Sequence, residues 1–598
     1  MAAHLGRAFT LGLVMATAVM TTGAPALAAP PTAGAAGFGP NVTVFDPGTP
    51  VATIQSALDT AFTAQDTGEG VTGRRAFLFK PGTYGTAEQP LQFKLGYYTE
   101  VAGLGASPGD VVINGKVEVL NRCTAYGCVA TSNHWRTLSN LSIKVTGGPD
   151  EGCRANTNFW AVAQAASLRR VNVDGGFSLM DYCSAGPQYA GGGFIADSKL
   201  PNVVNGSQQQ WFTRDSEIAG WSNGVWNQVF SGVVGAPAES AFPNPPYTTL
   251  EKTPASREKP YLFVDAKGAY NVRVPSARRG SRGVTWATGQ APGRTIPIRD
   301  FYVAKPSDSV QVINFQLARG KHLLLTPGVY DVARTIAVRR PNTVVLGLGH
   351  ATLTAVNGST PLAVDDVPGV VVAGVTVDAG PRRSGVLLQV GGGFSRGSAA
   401  NPTTLSDVYL RVGGPHPGKV DTALRIDSDH VILDNTRVWR ADDQGWTTTV
   451  GRYGVVVNGD DVTATGLSVE HFQRHNTLWN GQGGTTVMYQ SELPGDVPSQ
   501  ADWMSGRTKG WAGYKVGDRV RTHRLFGAGV YVGSRVNAAV HTANGFEVPK
   551  TRGVRLHHVL TVSLRGIGAI DHVVNGVGGP VGETNVDRPV FVSDYPAM

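Results

Sequence analysis

Short apolar runs recur along the chain, each closed by Gly, Asn or Asp. In the second half they read VVLGL (344–348), VVVAGVTVDAG (370–380), LSDVYLRVGG (405–414), HVILDNTRVWRA (430–441) and DVTATGLSVEHF (461–472). Gly374, Asp407, Asn435 and Gly466 occupy comparable places in four of them, at intervals of 33, 28 and 31 residues. In the first half, LSNLSIKVTGG (138–148) and LRRVNVDGG (168–176) are about one such period apart. Repeats of about 20–50 residues mark stacked supersecondary units. No 10–15-residue helical pattern alternates with the strands, which disfavours an α/β fold. The pattern predicts a parallel β-helix: one coil cannot bury its inner face alone, whereas stacked coils share a continuous core. Gly and Asn supply the positive-φ corners. A propeller is less consistent with the uneven period; a pair of sandwiches is the other all-β alternative.

The pattern is also duplicated. FLFKPGTY (77–84) matches LLLTPGVY (323–330), and each is followed by a strand ending in GLG, at 103–105 and 347–349. Pro81 and Pro327 are 246 residues apart, and Gly103 and Gly347 are 244 apart. Upstream of each copy lies an amphipathic segment, TIQSALDTAF (53–62) and SVQVINFQLA (309–318), placed to cap an open first coil and block edge pairing. The expected organisation is an all-β chain of two tandem parallel β-helix domains, 42–275 and 300–598. Residues 276–299, without strand alternation, read as the linker, and Pro-rich 235–260 reads as a long surface loop.

Composition narrows the class. The 598 residues include 77 Gly but only 16% charged residues, which fits a turn-rich β protein and argues against coiled coils and charged disorder. The net charge of +8 is scattered, so it reads as a cationic surface without a nucleic-acid footprint. Residues 1–29 carry Arg7, an apolar run from Phe9 to Met20 and Ala26-Leu27-Ala28, the pattern of a secretory signal. The run is too short for about 20 membrane-spanning residues, so secretion is expected and a membrane anchor is not. Four cysteines in an exported chain suggest disulfides. Of three possible pairings, Cys123–Cys128 and Cys153–Cys183 are preferred; a zinc site is weaker, because no His pair lies nearby at ligand spacing.

Exported repeat-β proteins with many tryptophans commonly handle polysaccharides, whose sugar rings stack on aromatic side chains. Trp439, Trp446, Trp479, Trp503 and Trp511 lie close together in sequence. Glycoside hydrolysis needs two carboxyl groups, one to donate a proton and one to activate water or attack carbon. Acidic residues are sparse, so ADDQGW (441–446), Glu470 and Glu492 stand out. Glu470 and Glu492 both end strand-like runs and are 22 residues apart, about one coil, which can place them on neighbouring coils of one face. His471 and His475 have i, i+4 spacing, but in strand and loop a zinc site there is disfavoured. Nucleotide-binding and esterase motifs are absent.

The duplicated PG-T/V-Y…GLG starts, EGCRANTNFW (151–160), GGFIADS (192–198), EKPYLFVDAKGAYNVRVPSAR (258–278) and TTVMYQSELP (485–494) together resemble glycoside hydrolase family 55, from about 42 to 598. The resemblance implies two right-handed parallel β-helices packed side by side, with a cleft between them. It implies hydrolysis of β-1,3-glucan of the laminarin type, commonly exo-acting, releasing glucose with inversion and requiring no metal or other cofactor. Glu492 matches the family's general acid, and Glu470 matches a carboxylate that positions or activates the water. Gln164 and Gln188 fall where first-domain polar residues face the cleft. On this reading Asp442 and Asp443 bind sugar hydroxyls, and Trp446 or Trp479 forms a stacking wall. A monomer is expected. One alternative is a Ca²⁺-dependent polysaccharide lyase on the same fold, with Asp427 and Asp429 near Arg425 as its best candidates; another is a non-catalytic glycan-binding protein.

Overall fold

A computed structural model describes residues 37–124, 127–183, 188–392 and 397–597. The signal-like segment 1–29 lies outside the described residues.

Two right-handed parallel β-helices lie side by side. The first runs from the strand Val42–Phe45 to Tyr247–Leu250, and the second from Phe301–Ala304 to Val590–Tyr595. Equivalent residues of successive coils stack in register. Leu405, Leu433, Ala464, Thr486, Leu525 and Leu556 form one inward column, five of the six within the second apolar core. Each coil thus buries an inner face that it could not bury alone.

The expected corners appear. Gly374, Asp407, Asn435 and Gly466 have φ of 67°, 50°, 56° and 71°. The column continues through Met488, Gly527 and His558, also with positive φ. Met488 and His558 carry no compositional hint of this conformation; the stacked neighbours impose it. Gly466 and Gly527 also allow close approach of the two β-helices. A Cβ would lie 3.0 Å from the Phe212 ring at Gly466 and 2.4 Å from a Val229 methyl at Gly527.

The duplication has a physical counterpart. Tyr84 donates its hydroxyl to the Phe45 and Lys80 carbonyls, and Tyr330 donates to those of Ala304 and Thr326. The amphipathic segments form helices Val51–Gln65 and Val310–Ala318. Ile54 and Leu58 enter the first core; Val310, Ile313 and Leu317 enter the second. Their i, i+3 or i+4 spacing presents one apolar stripe to the open coil. At the far end Val590–Tyr595 pairs antiparallel with Val554–Ser563.

Two expectations need correction. Residues 276–299 are not strandless: Arg278–Ser281 pairs antiparallel with Thr253–Ser256, and Gly293–Pro297 pairs with Tyr270–Pro275. Nor is 235–260 all surface loop, because Tyr247–Leu250 joins the first β-helix and Glu258 and Lys259 are buried. Binary pattern missed these segments because charge pairing stabilises part of their burial. Across the seam Arg169 binds Asp407 and Asp434 and Arg214 binds Asp434; on its own side Arg214 binds Asp215 and both oxygens of Glu258. The disulfides are Cys123–Cys128, across the hairpin Arg122–Thr124/Gly127–Val129, and Cys153–Cys183.

Candidate active site

The site grows from the corner column of the second β-helix. After Asn435, Gly466 and Met488 the strands resume alternation. Val438, Leu467, Val469 and Tyr489 turn into the core. The intervening positions carry Arg437 and Trp439, Ser468 and Glu470, and Gln490 and Glu492, on the opposite face. Arg437, Ser468 and Met488 line a cavity with Gln164, Phe194, Gln210 and Phe212 of the first β-helix.

Trp439, Glu470, Glu492 and Tyr531 are register partners on four successive coils. Adjacent strands lie about 4.8 Å apart, so the two glutamates start from neighbouring points on one face and are separated by their partners. Glu470 is buried, and its Oε2 accepts from Arg437 Nε at 3.1 Å and Nη2 at 2.7 Å. Its Oε1 is buried without a protein hydrogen bond, as are Arg437 Nη1, Gln490 Oε1 and both amide atoms of Gln210. Such atoms are rare in folded interiors. The Glu492 side chain is 29% exposed; its Oε2 is 3.2 Å from His471 Nε2, and Gln490 Nε2 donates to its Oε1 at 3.4 Å.

His471 links Glu492 to Asp442. Its Nδ1 is 3.4 Å from Asp442 Oδ1 and 3.2 Å from the Arg440 carbonyl. Burial by itself pushes the imidazole pKa down, but Asp442, the bond to Glu492 and the charge of Glu470 raise it to about 9. Burial alone would raise the Asp442 carboxyl, yet His471, Arg535 and the Gly495 N–H outweigh it and hold the pKa below the ordinary aspartate value. At neutral pH the array is Asp442 carboxylate, His471 imidazolium and Glu492.

The other expected residues divide. Asp442 points into this array, whereas Asp443, in the same short turn 442–444, is exposed. Trp446 is half-buried beside the Arg440 guanidinium, 5.5 Å from its ring centre. Trp479 is fully buried in the core, edge-on to His523, and cannot stack on a sugar. It belongs to the inward column Val457, Trp479, Val516 on another sheet, so sequence proximity to Glu470 misled. Gln164 is buried at the cavity wall. Gln188 begins the strand Gln188–Ala196, and its side chain lies outside the described residues. Asp427 pairs with Arg425 and Asn458, and Asp429 accepts from the Asp460 N–H; both hold turns, and among the described residues they form no lyase-like cage.

Residues 301–492 match the LAM55 pectate lyase-like domain family. Over 563 residues the chain is 47% identical to an exo-β-1,3-glucanase of Streptomyces sp. (strain SirexAA-E / ActE), covering 93% of this chain and 90% of that protein. The solved structure of sacteLam55A from Streptomyces sp. SirexAA-E aligns with a TM-score of 0.87 and 46% identity, over 94% of this chain and 99% of that one. A glutamate-to-alanine variant of sacteLam55A in complex with glucose aligns with the same TM-score, over 94% and 98%. The chain belongs to glycoside hydrolase family 55.

The family 55 match to the LAM55 domain ends on Glu492 and takes in Asp442, Trp446, Glu470 and His471. Gln164 and Gln210 come from the first β-helix, so both halves line the cavity beside Arg437. Sequence reasoning passed over Arg437, Gln490, Gln210 and Tyr531, and weighed His471 only as a zinc ligand with His475. His475 instead faces the Ala512 carbonyl at 2.9 Å. The usable signal was positional: Arg437, Ser468 and Gln490 each lie two residues after a corner, and Glu470 and Glu492 each lie four after.

Proposed function

We propose that the protein is a secreted, monomeric, exo-acting β-1,3-glucanase that releases glucose with inversion. The observation that carries this reading is the register pair Glu470–Glu492, Glu470 being bound to the cavity-lining Arg437, in a chain 47% identical to an exo-β-1,3-glucanase. Glu492, the more accessible of the two, donates its proton to the glycosidic oxygen as the C1–O bond breaks and oxocarbenium-like charge develops. A water attacks C1 from the opposite face and passes its proton toward Glu470 Oε1, the oxygen that Arg437 leaves free. Inverting enzymes keep room for that water between the two carboxyl groups. His471 holds Glu492 in place through the 3.2 Å contact of its Nε2 with Oε2, and Glu492 regains its proton from solvent after each turnover. Asp442 positions His471 here, a different role from direct contact with a sugar hydroxyl. Secretion is supported by the signal-like pattern of 1–29 and the two disulfides. Among the described residues no helix is long and apolar enough to cross a membrane.

The test is a time course on laminarin with the purified mature protein, following released sugars by proton NMR. Early α-glucose supports exo-acting, inverting chemistry. A ladder of oligosaccharides would replace exo with endo action, and chelator-sensitive cleavage of a uronate polymer would overturn the reading.

A further inference from the structure

Away from the carboxylate pair, three metal-ligating side chains converge where the two β-helices meet at the C-terminal coils. They are Glu239, His557 and His558, each offering one ligand atom, with all three atoms within 4.8 Å of one another. The backbone explains how adjacent residues share one site. Consecutive side chains of a strand point to opposite faces, but His558 sits at the positive-φ corner, with φ 54°. The two imidazoles therefore stack face to face, with centroids 3.7 Å apart, and the Phe242 ring stacks on the His558 ring at 3.5 Å.

Each ligand is held from behind. His557 Nδ1 faces Asp594 Oδ1 at 2.8 Å, which leaves Nε2 free, 3.5 Å from Glu239 Oε1. Thr248 Oγ1 lies 3.1 Å from His558 Nδ1, which leaves that ring's Nε2. The Thr249 N–H donates to Glu239 Oε2 at 2.8 Å, which leaves Oε1. The Asp594 carboxylate behind His557 selects the tautomer with a bare Nε2, as supporting groups do around metal ions. The Thr248 hydroxyl can donate or accept at His558 Nδ1, and the stacked rings fan apart when both Nε2 atoms take one ion. Two imidazole nitrogens and one carboxylate oxygen suit Zn²⁺ with a water in the fourth position; Ca²⁺ prefers an all-oxygen shell.

The geometry points to a Zn²⁺ site formed by Glu239, His557 and His558 that clamps the 235–246 segment of the first β-helix to the last coils of the second. Its parts come from three separated stretches: Glu239 before the strand Tyr247–Leu250, the His pair on Val554–Ser563, and Asp594 on the closing strand Val590–Tyr595. The ion would cross-link the two β-helices and leave glucan chemistry to the cleft.

The test uses the untagged mature protein, stripped with EDTA and dialysed. Zinc is titrated calorimetrically, bound metal is counted by mass spectrometry, and unfolding is followed by scanning calorimetry. The expected result is one Zn²⁺ per chain and, at a hundredfold excess over Kd, a rise in midpoint of about 2 °C. Glu239→Gln keeps an acceptor for the Thr249 N–H but loses the anionic ligand, and should abolish the rise. Asp594→Asn should weaken binding about 10- to 100-fold while the metal-free midpoint stays close to wild type. Absence of stoichiometric zinc binding to the wild-type chain overturns the site. So does zinc bound equally well by Glu239→Gln and His557→Gln proteins, which would place it elsewhere.

Discussion

Two polar regions lie along the same seam between the β-helices, and their hydrogen bonding differs. In one, Arg169, Arg214, Asp407, Asp434 and Glu258 are fully buried and interlocked. Asp434 takes Arg169, Arg214 and Thr465, while Asp407 takes Arg169, Ser167 and Asn435. In the other, a coil or two away, Glu470 Oε1, Arg437 Nη1, Gln490 Oε1 and the Gln210 amide have no protein partner. Both use Arg and carboxylate, and both are dry by side-chain exposure. The interlocked set has its valences filled and can only hold the halves together. On the proposed reading, the unfilled set keeps its donors and acceptors for substrate and the attacking water. A buried unsatisfied group costs about 1–3 kcal/mol, and a fold that carries several in one place gains something there other than stability.

That contrast can be broken from either side. The largest effect is expected at the open set: Glu492→Gln should lower laminarin turnover at least about 10²-fold, with an unfolding midpoint near wild type because its side chain is partly exposed. At the closed set the pattern reverses. Asp434→Ala leaves two buried guanidinium groups short of a partner and should cost about 3–5 kcal/mol of stability, read as a lower denaturant midpoint.

The Asp442–His471–Glu492 array sharpens the comparison through pH. The imidazole pKa stands at about 9, above its ordinary value of 6.5. The stabilisation it contributes is therefore complete below about pH 6.5 and is lost as pH rises through about 9, on the order of 3 kcal/mol at most. Unfolding by denaturant at pH 6, 8 and 10 should show that loss, and His471→Gln should flatten it. Activity should fall in the same window, because the neutral imidazole no longer holds the Asp442 and Glu492 carboxyl groups on its two sides. The smallest effect is expected at Trp446→Ala: loss of one stacking ring, about 1 kcal/mol, should raise KM about fivefold and leave kcat within about twofold. An unchanged KM would remove Trp446 from the sugar path.

Much of the architecture was legible in order and spacing. The 28–33-residue rhythm located the corner column, and the duplicated PG-x-Y located both first coils and their capping helices. Glu470 and Glu492 stood out because carboxylates are sparse and their separation matches a coil. Trp479 was misplaced because a tryptophan has no sequence mark that separates the inner from the outer face of a short strand. The buried Glu258 was hidden because its partners Arg169 and Arg214 are remote in sequence, and the strands within 276–299 because they form small antiparallel pairs outside the coil rhythm. Arg437 and Gln490 have no motif of their own; they matter because they share a face with the glutamates.

The chain by itself determined the repeating coil, its doubling and the pair of carboxylates, because these are local periodicities that one strand and its successor express. Only the tertiary structure decided which polar side chains are closed off and which are left open, that His471 bridges Asp442 to Glu492, and that Glu239 meets His557 and His558. Those outcomes depend on how two stacks of coils are registered against each other. That register is fixed by long-range burial and ion pairing, which no short window of sequence contains.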